Sequence, residues 1–433
     1  MYRTMRWLPG DPTNSTSDRL VLSEGHAVPA VYAALADIGA TVEWNGEPMQ
    51  LTPEHLKTLR VDDSPLDGHP NPEEGVRFFD AATGSLGQGL SVAAGVGLAA
   101  RADETGRKVY CIIGDGESRE GQITEALDFI MDESLVHVLP IFNCNQYGQA
   151  GEVSKQQSPE RMTAKLEAFG FEVACIDGHN PDAIKAAIDR FNTEGRTQPM
   201  AIVAKTVKGW GVPMLQGANW HGKPVAGKEL EQALAELRQT GLKLTSSMST
   251  NPIAIPKPPK STTDSAETPT AMTFREAMTK WDMISVLQSG KMATRRAYGV
   301  ALRSLGYTHK DVWAVDADVS NSTFSNAFGN GPALSDRFVE CKIAEQNMYS
   351  VGAGLSAAGK IPFCSTFSKF ITRGYDQIEM AINSGANLKV VGSHSGISLD
   401  ADGPSQMSLP DVAWFRSFGT MKDHHGKPGC YVL

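Results

Sequence analysis

Residues 109–121 read VYCIIGDGESREG and residues 135–149 read LVHVLPIFNCNQYGQ. Each opens as a short apolar run rich in β-branched residues, the pattern of a buried strand, and each ends in polar residues. Between them GQITEALDFIMDES spaces its apolar residues as a helix does. The stretch is a β-α-β unit, and in such units ligands sit beyond the carboxyl ends of the strands. Asp115 and Asn145 therefore share one rim. A carboxylate and an amide oxygen are hard donors suited to Mg²⁺ or Ca²⁺, and Mg²⁺ commonly also takes oxygens from a bound phosphate. Glycines at 114, 116 and 121 let the backbone approach a diphosphate, which the following helix N-terminus favours. A lone Gly-Asp-Gly is usually an ordinary turn. Between a strand and a helix, with Asn at the end of the next strand, it points to a metal-diphosphate site.

The chain has 433 residues, enough for two or three domains. Apolar residues at 41% and charged residues at 21% are ordinary for a globular protein. A net charge of −9 with no basic run argues against a nucleic-acid surface. Six Cys occur without a Cys-x-x-Cys pair, mostly in apolar runs, as buried reduced thiols do. No run is long enough to span a membrane and no signal-peptide pattern is present, so the expected location is the cytoplasm.

Upstream of the central unit, RLVLSEGHAVP carries Glu24-Gly25-His26, and a helix follows Pro29. His26 alone reads equally as a solvated helix lead-in. Thr52 and Pro53 predict a short helix to Arg60, with Thr52 as N-cap. His69 lies in a rigid loop, LDGHPNP. The glycines at 84, 87, 89, 95 and 97 fit either a closely packed helix or a ligand-facing loop. Downstream, FEVACIDGHN, a helix from Pro181 and the strand MAIVAKTVKG continue the alternation, which implies a doubly wound, mostly parallel sheet. Lys208 ends that strand, where it is solvated or meets an anion. Residues 1–242 form a first domain, closed by an amphipathic helix. Residues 243–291 read as a Pro/Ser/Thr-rich linker, 292–417 as a second, incomplete α/β domain, and 418–433 as an atypical tail.

Read in order, LSEGHAVP, LDGHP, ATGSLGQGL, GDGESREG, AKTVKGWG, WHGKP, ATRRAYG, NSTFS, IAEQNM, PFCSTF and DGPSQM resemble the animal-type transketolases. The resemblance implies two doubly wound domains of the thiamine-diphosphate-binding fold. It also implies a homodimer, in which the first domain holds the cofactor's diphosphate and the partner's second domain holds its aminopyrimidine ring. It places the cation on Asp115, Asn145 and the carbonyl of Tyr147. Cofactor positions would be Gly84, Ser85, Leu86, Gly116, Gln149, Lys208, His221 and Asp318, with Phe367 and Phe370 sandwiching the pyrimidine. Glu120 matches a residue that couples the two active sites. Glu345 matches the family's catalytic glutamate, which shares a proton with the pyrimidine; read alone, it is a helix N-terminal charge. His26, His69 and His221 would line the substrate channel and move protons on sugar hydroxyls. Arg295, Ser322 and His394 would meet a sugar phosphate, and Asp402 and Gln406 fall on the substrate side. The expected activity is transfer of a two-carbon ketol unit between sugar phosphates of the non-oxidative pentose phosphate pathway. The alternative is a catalytically impaired chain that binds cofactor or pairs with a longer paralogue. WHGKP and DGPSQM argue against a related synthase joining pyruvate to a triose phosphate.

Three departures from the family qualify this reading. A preceding segment with a Gly-Ser-Gly-His motif and a third, C-terminal domain with a phosphate-binding Arg are expected to be missing. The residues after Ser417 do not resemble the family. Glu24 stands where the family usually has Lys, and a reversed charge there should weaken diphosphate binding unless the side chain points away.

Overall fold

A computed structural model describes residues 1–44, 46–73, 75–217, 220–245, 254–260, 272–422 and 426–432. The first domain comprises β1 (Arg19–Leu22), α1 (Val28–Ile38), β2 (Thr41–Trp44), β3 (Glu47–Gln50), α2 (Gly89–Ala102), β4 (Val109–Gly114), α3 (Gly121–Asp132), β5 (Val138–Cys144), α4 (Pro159–Phe169), β6 (Glu172–Asp177), α5 (Pro181–Phe191), β7 (Met200–Lys205) and α6 (Gly227–Thr245). Its main sheet is parallel in the order β1-β4-β5-β7-β6, and β2 and β3 pair as a separate hairpin. The β-branched runs of β4 and β7 are buried because helices cover both faces of a parallel sheet.

The remaining elements are α7 (Phe274–Lys280), α8 (Ile284–Gln288), α9 (Thr294–Thr308), β8 (Val312–Asp316), α10 (Ser320–Thr323), α11 (Asn326–Gly329), β9 (Phe338–Glu340), α12 (Glu345–Ala357), β10 (Ile361–Phe367), α13 (Ser368–Ile371), α14 (Tyr375–Asn383), β11 (Lys389–Ser393) and α15 (Asp411–Ser417). The second sheet is parallel in the order β11-β10-β8-β9. Two of these helices, α7 and α8, fall inside residues 243–291. Thr273 and Glu276 cap α7 reciprocally, and its Ala277 and Met278 are buried in a small cluster with Val300 of α9.

Helix α2 is buried from Gly89 to Ala100, so it needs a partner on every side. That partner includes α12 of the second domain. An ideal Cβ on Gly95 would sit 2.1 Å from the Val351 carbonyl oxygen, and one on Gly354 would sit 2.1 Å from that of Val92. Close packing is therefore the role of Gly95. In the preceding loop Gly84 (φ +136°) and Gly87 (φ +92°) occupy backbone conformations that side chains rarely adopt. One apolar core runs through both domains, from Val96 and Ile130 to Trp313, Tyr349 and Phe418.

The helix expected from Thr52 is a short 3-10 turn over His55–Thr58. Thr52 does not cap it as predicted, because the turn starts later, with Glu54 in the N-cap position, and the Thr52 hydroxyl pairs with His55 Nδ1 at 2.9 Å instead. Beyond Ser417, Phe418 is buried and stacks on Tyr375 at 4.5 Å. Gly429 N–H returns to the Met421 carbonyl at 2.9 Å. Among the described residues no helix is long and apolar enough to cross a membrane.

Candidate active site

His26 follows β1, Asp115 follows β4, Asn145 follows β5 and Lys208 follows β7. These are adjacent parallel strands, so their carboxyl ends form one rim. Asp115 is 2% exposed. Its Oδ1 accepts the Gly116 N–H at 2.7 Å and its Oδ2 accepts the Gln146 N–H at 2.5 Å. Burial raises its pKa, and these N–H groups and Lys208 pull it back. Asn145 Oδ1 accepts the Tyr147 N–H at 2.9 Å. Each oxygen keeps a second lone pair for a cation. Among the described residues no three His, Cys, Asp or Glu cluster as a metal site. A cation on this rim would thus have one carboxylate, with amide, carbonyl and phosphate oxygens completing its shell, a donor set that fits Mg²⁺.

Lys208 Nζ reaches over the rim, 3.2 Å from the Gly148 carbonyl and 2.6 Å from His221 Nδ1. The ammonium can only donate, so Nδ1 accepts and His221 is neutral. The His221 and His26 ring centroids lie 5.3 Å apart. Burial lowers the pKa of His26, His221 and Lys208 alike, and for both histidines the nearby Lys208 lowers it further. A crowded, partly desolvated basic group of this kind is completed by an anion.

Of the two carboxyl groups under this rim, Glu117 is not singled out by the sequence. Glu117 is buried and accepts the N–H groups of Gly87 at 2.8 Å and Gly114 at 3.0 Å, and also the Ser23 hydroxyl. It ties the β1, Gly84–Gly87 and β4 loops together. The only signal was an acidic residue two positions after Asp115. Glu24 does point away from the rim: it is 5% exposed and accepts from Asn143 Nδ2 at 3.0 Å. Burial, with Glu117 and Asp115 nearby, pushes its pKa up to about 8. A carboxyl so shifted is mostly protonated at neutral pH, which reduces the negative charge under the rim.

The loop carrying Gly84, Ser85 and Leu86 is anchored where it begins. Thr83 Oγ1 donates to the Leu22 carbonyl at 2.7 Å, and Ala82 N–H donates to Ser384 Oγ at 2.8 Å. The His69 ring packs so closely on Gly84 that an ideal Cβ there would lie 2.7 Å from it. Ser85 donates its hydroxyl to Asp376, which Gln88 also meets at 2.8 Å. With its proton so committed, Ser85 offers an anion its backbone rather than its hydroxyl. Leu86 is 39% exposed. Glu120 N-caps α3 with its backbone, exposed, and its Cβ lies 2.6 Å from where a Cβ on Gly87 would sit. Gln149 is exposed beside the rim.

The other predicted residues gather on the second domain. Arg295 Nη1 donates to the Ser322 carbonyl at 3.2 Å and to His394 Nε2 at 2.8 Å, so all three expected phosphate contacts meet. Phe367 and Phe370 stack on each other at 5.4 Å and 18°. As they stand they offer one aromatic face rather than two jaws. Glu345 is the first residue of α12 and is 7% exposed. It opens on a cavity of about 450 Å³ with Asp318, Phe370 and Arg373. Ile343, 78% exposed, stands at its mouth. Asp402 is exposed and Gln406 half-buried in a loop after β11, and no described contact joins them to Arg295 or Glu345. The cavity before Glu345 includes neither Asp115, Gly116 nor Asn145.

Residues 1–257 match the family model described as transketolase, thiamine diphosphate binding domain. Residues 290–422 match the one described as transketolase, pyrimidine binding domain. The chain belongs to the transketolase family. It is 39% identical to mouse transketolase-like protein 2 over 420 residues, covering 96% of this chain and 62% of the relative. It is 38% identical to human transketolase over 423 residues, covering 97% and 63%. The chain thus spans somewhat less than two thirds of these transketolase-family relatives. Among solved structures, a Pichia stipitis transketolase in complex with sedoheptulose 7-phosphate superposes with a TM-score of 0.73 at 21% identity, covering 95% of this chain and 66% of that one. The transketolase of Leishmania mexicana gives 0.69 at 20%, covering 95% and 65%. These structural likenesses bear on the fold.

Proposed function

We propose that this chain is a transketolase that moves a two-carbon ketol unit from a ketose phosphate to an aldose phosphate, acting in the cytoplasm as a homodimer with two sites at the interface. The observation that supports the reading is that the cavity before the buried Glu345 does not include the Asp115–Asn145 rim of the same chain. The donor set fits the cofactor. Asp115, Asn145 and the Tyr147 carbonyl would hold Mg²⁺ against the diphosphate. Gly116 and the backbone of Gly84, Ser85 and Leu86 would line it, with Lys208 and His221 above. Thiamine diphosphate, when bound, supplies the nucleophilic carbon that takes up and releases the two-carbon unit.

The chain's own groups do the rest. Glu345 of one protomer would share a proton with the pyrimidine held by its partner, and Phe367, Phe370, Asp318 and Gln149 would border that ring. His26, His69 and His221, of which His26 and His221 are held neutral, accept and return protons of sugar hydroxyls. Arg295, Ser322 and His394 hold the sugar phosphate, with Asp402 and Gln406 on the sugar side. A second reading, a cofactor-binding chain without turnover, is raised by relatives that include transketolase-like proteins as well as transketolases. A coupled assay with xylulose 5-phosphate and ribose 5-phosphate, with and without thiamine diphosphate and Mg²⁺, separates the two. Turnover supports the first; cofactor binding without turnover refutes it in favour of the second.

A further inference from the structure

The cation that the fold leaves least explained lies away from this site. Arg107, between α2 and β4, is 8% exposed. Its Nε is shut from solvent without a partner, and neither terminal nitrogen donates a hydrogen bond among the described residues. The acids near it are committed elsewhere: Asp18 to Arg6, Asp80 to Arg19, and Asp103 to Lys360 at 2.7 Å. Burial and the neighbouring Arg19 lower the guanidinium's pKa, while the charges of Asp80, Asp103 and Asp18 partly raise it. A buried charge left unpaired is costly, so a natural protein that keeps one has a partner for it.

A cavity of about 170 Å³ adjoins this guanidinium, and Lys260, Ser15 and Thr105 also line it. Lys260 arrives because residues 254–260 return across the N-terminal segment. The Trp7 N–H donates to the Pro256 carbonyl at 3.0 Å, and Thr16 Oγ1 donates to the Pro259 carbonyl at 2.7 Å. Lys260 itself makes no ion pair among the described residues. Three features oppose an anion here: the C-terminal end of α2 and the Asp103 and Glu104 carboxyls at the wall, of which Asp103 is neutralised by Lys360. The Ala99 and Ala100 carbonyls are, however, already taken by the N–H groups of Asp103 and Thr105. Capping α2 therefore does not account for Arg107.

We propose that this cavity is an anion site for a tetrahedral oxyanion, free phosphate or the phosphate end of a small phosphorylated metabolite, held by the Arg107 fork with Lys260 closing over it. An Arg fork matches phosphate oxygens pairwise, and a Lys adds a point charge. The site is independent of the diphosphate rim, so it stands or falls apart from the transketolase reading.

The test is local. The full chain is acetylated in increasing inorganic phosphate or, separately, glycerol 3-phosphate, and modification of Lys260 is followed by mass spectrometry. Saturable protection of Lys260 is expected, and the ligand that protects at lower concentration identifies the source. In Arg107→Met protection should be lost. In Arg107→Lys, which keeps the charge without the fork, the concentration needed should rise about tenfold. Phosphate should raise the thermal midpoint of the wild type more than that of Arg107→Met at equal ionic strength, because binding at the diphosphate rim is common to both. Protection by neither ligand, or equal protection in both Arg107 variants and the wild type, overturns the proposal.

Discussion

Replacing Glu24 by Gln should make the protein more stable, and increasingly so as pH rises. The carboxyl is buried with Glu117 and Asp115 nearby, and its pKa is raised from 4.5 to about 8. The unfolded chain releases this proton near 4.5, whereas the folded chain keeps it. Between those values the folded state binds more protons, so stability falls as pH rises. The slope approaches about 1.4 kcal/mol per pH unit, and the cost saturates above the folded pKa at roughly 5 kcal/mol. Below the unfolded pKa both states are protonated and the cost vanishes. Gln has the same shape, does not titrate and still offers an oxygen to Asn143. Urea unfolding of wild type and Glu24→Gln across this window should show a difference that grows with pH, reaching about 3 kcal/mol at neutrality. A difference that stays constant across the window would mean that Glu24 is already ionised in the folded state. The account of how an acid replaces the family's usual Lys would then be refuted.

Gly354→Ala should cost about 3 kcal/mol or more in urea unfolding, because the new methyl meets the Val92 carbonyl of α2 and backbone cannot yield; an undiminished midpoint would refute the close helix contact. Lys208→Met should weaken thiamine diphosphate binding about tenfold by calorimetry, with stability preserved; unchanged affinity would remove Lys208 from the rim. Asp316 is fully buried, accepting from Val319, Thr323 and Ser325, and its pKa is raised from 3.8 to about 6. The stability of Asp316→Asn relative to wild type should therefore rise by up to about 3 kcal/mol across that window and stay flat above it; a flat difference throughout would show an ionised Asp316.

The rim was legible because its signals are local. An apolar run that ends in Gly-Asp-Gly states both the strand and the loop, and the alternation of strands and helices states the parallel sheet. The positions of Lys208 and His221 in their motifs led to neighbouring atoms. What could not be read depends on distant pairings. The choice for Gly95 between packing and ligand contact rests on Val351 and Gly354, in a different domain. Glu24 and Glu117 look like surface charges in a string of letters, and their burial arises only where three loops converge. Phe367 and Phe370 are correctly neighbours, yet their stacking follows from backbone directions that spacing does not fix. Thr52 failed as an N-cap because the turn begins only at His55, with Glu54 before it.

The central claim is that the Asp115–Asn145 rim of one protomer works with Glu345 of another. Asp115→Ala and Glu345→Ala chains, each inactive alone, are to be mixed under subunit exchange and assayed for ketol transfer. Each mixed dimer would hold one intact site, so about a quarter of the wild-type rate should return with random exchange in a two-site dimer. A mixture as inactive as its two parents, with mixed dimers demonstrably formed, would contradict a site shared between chains.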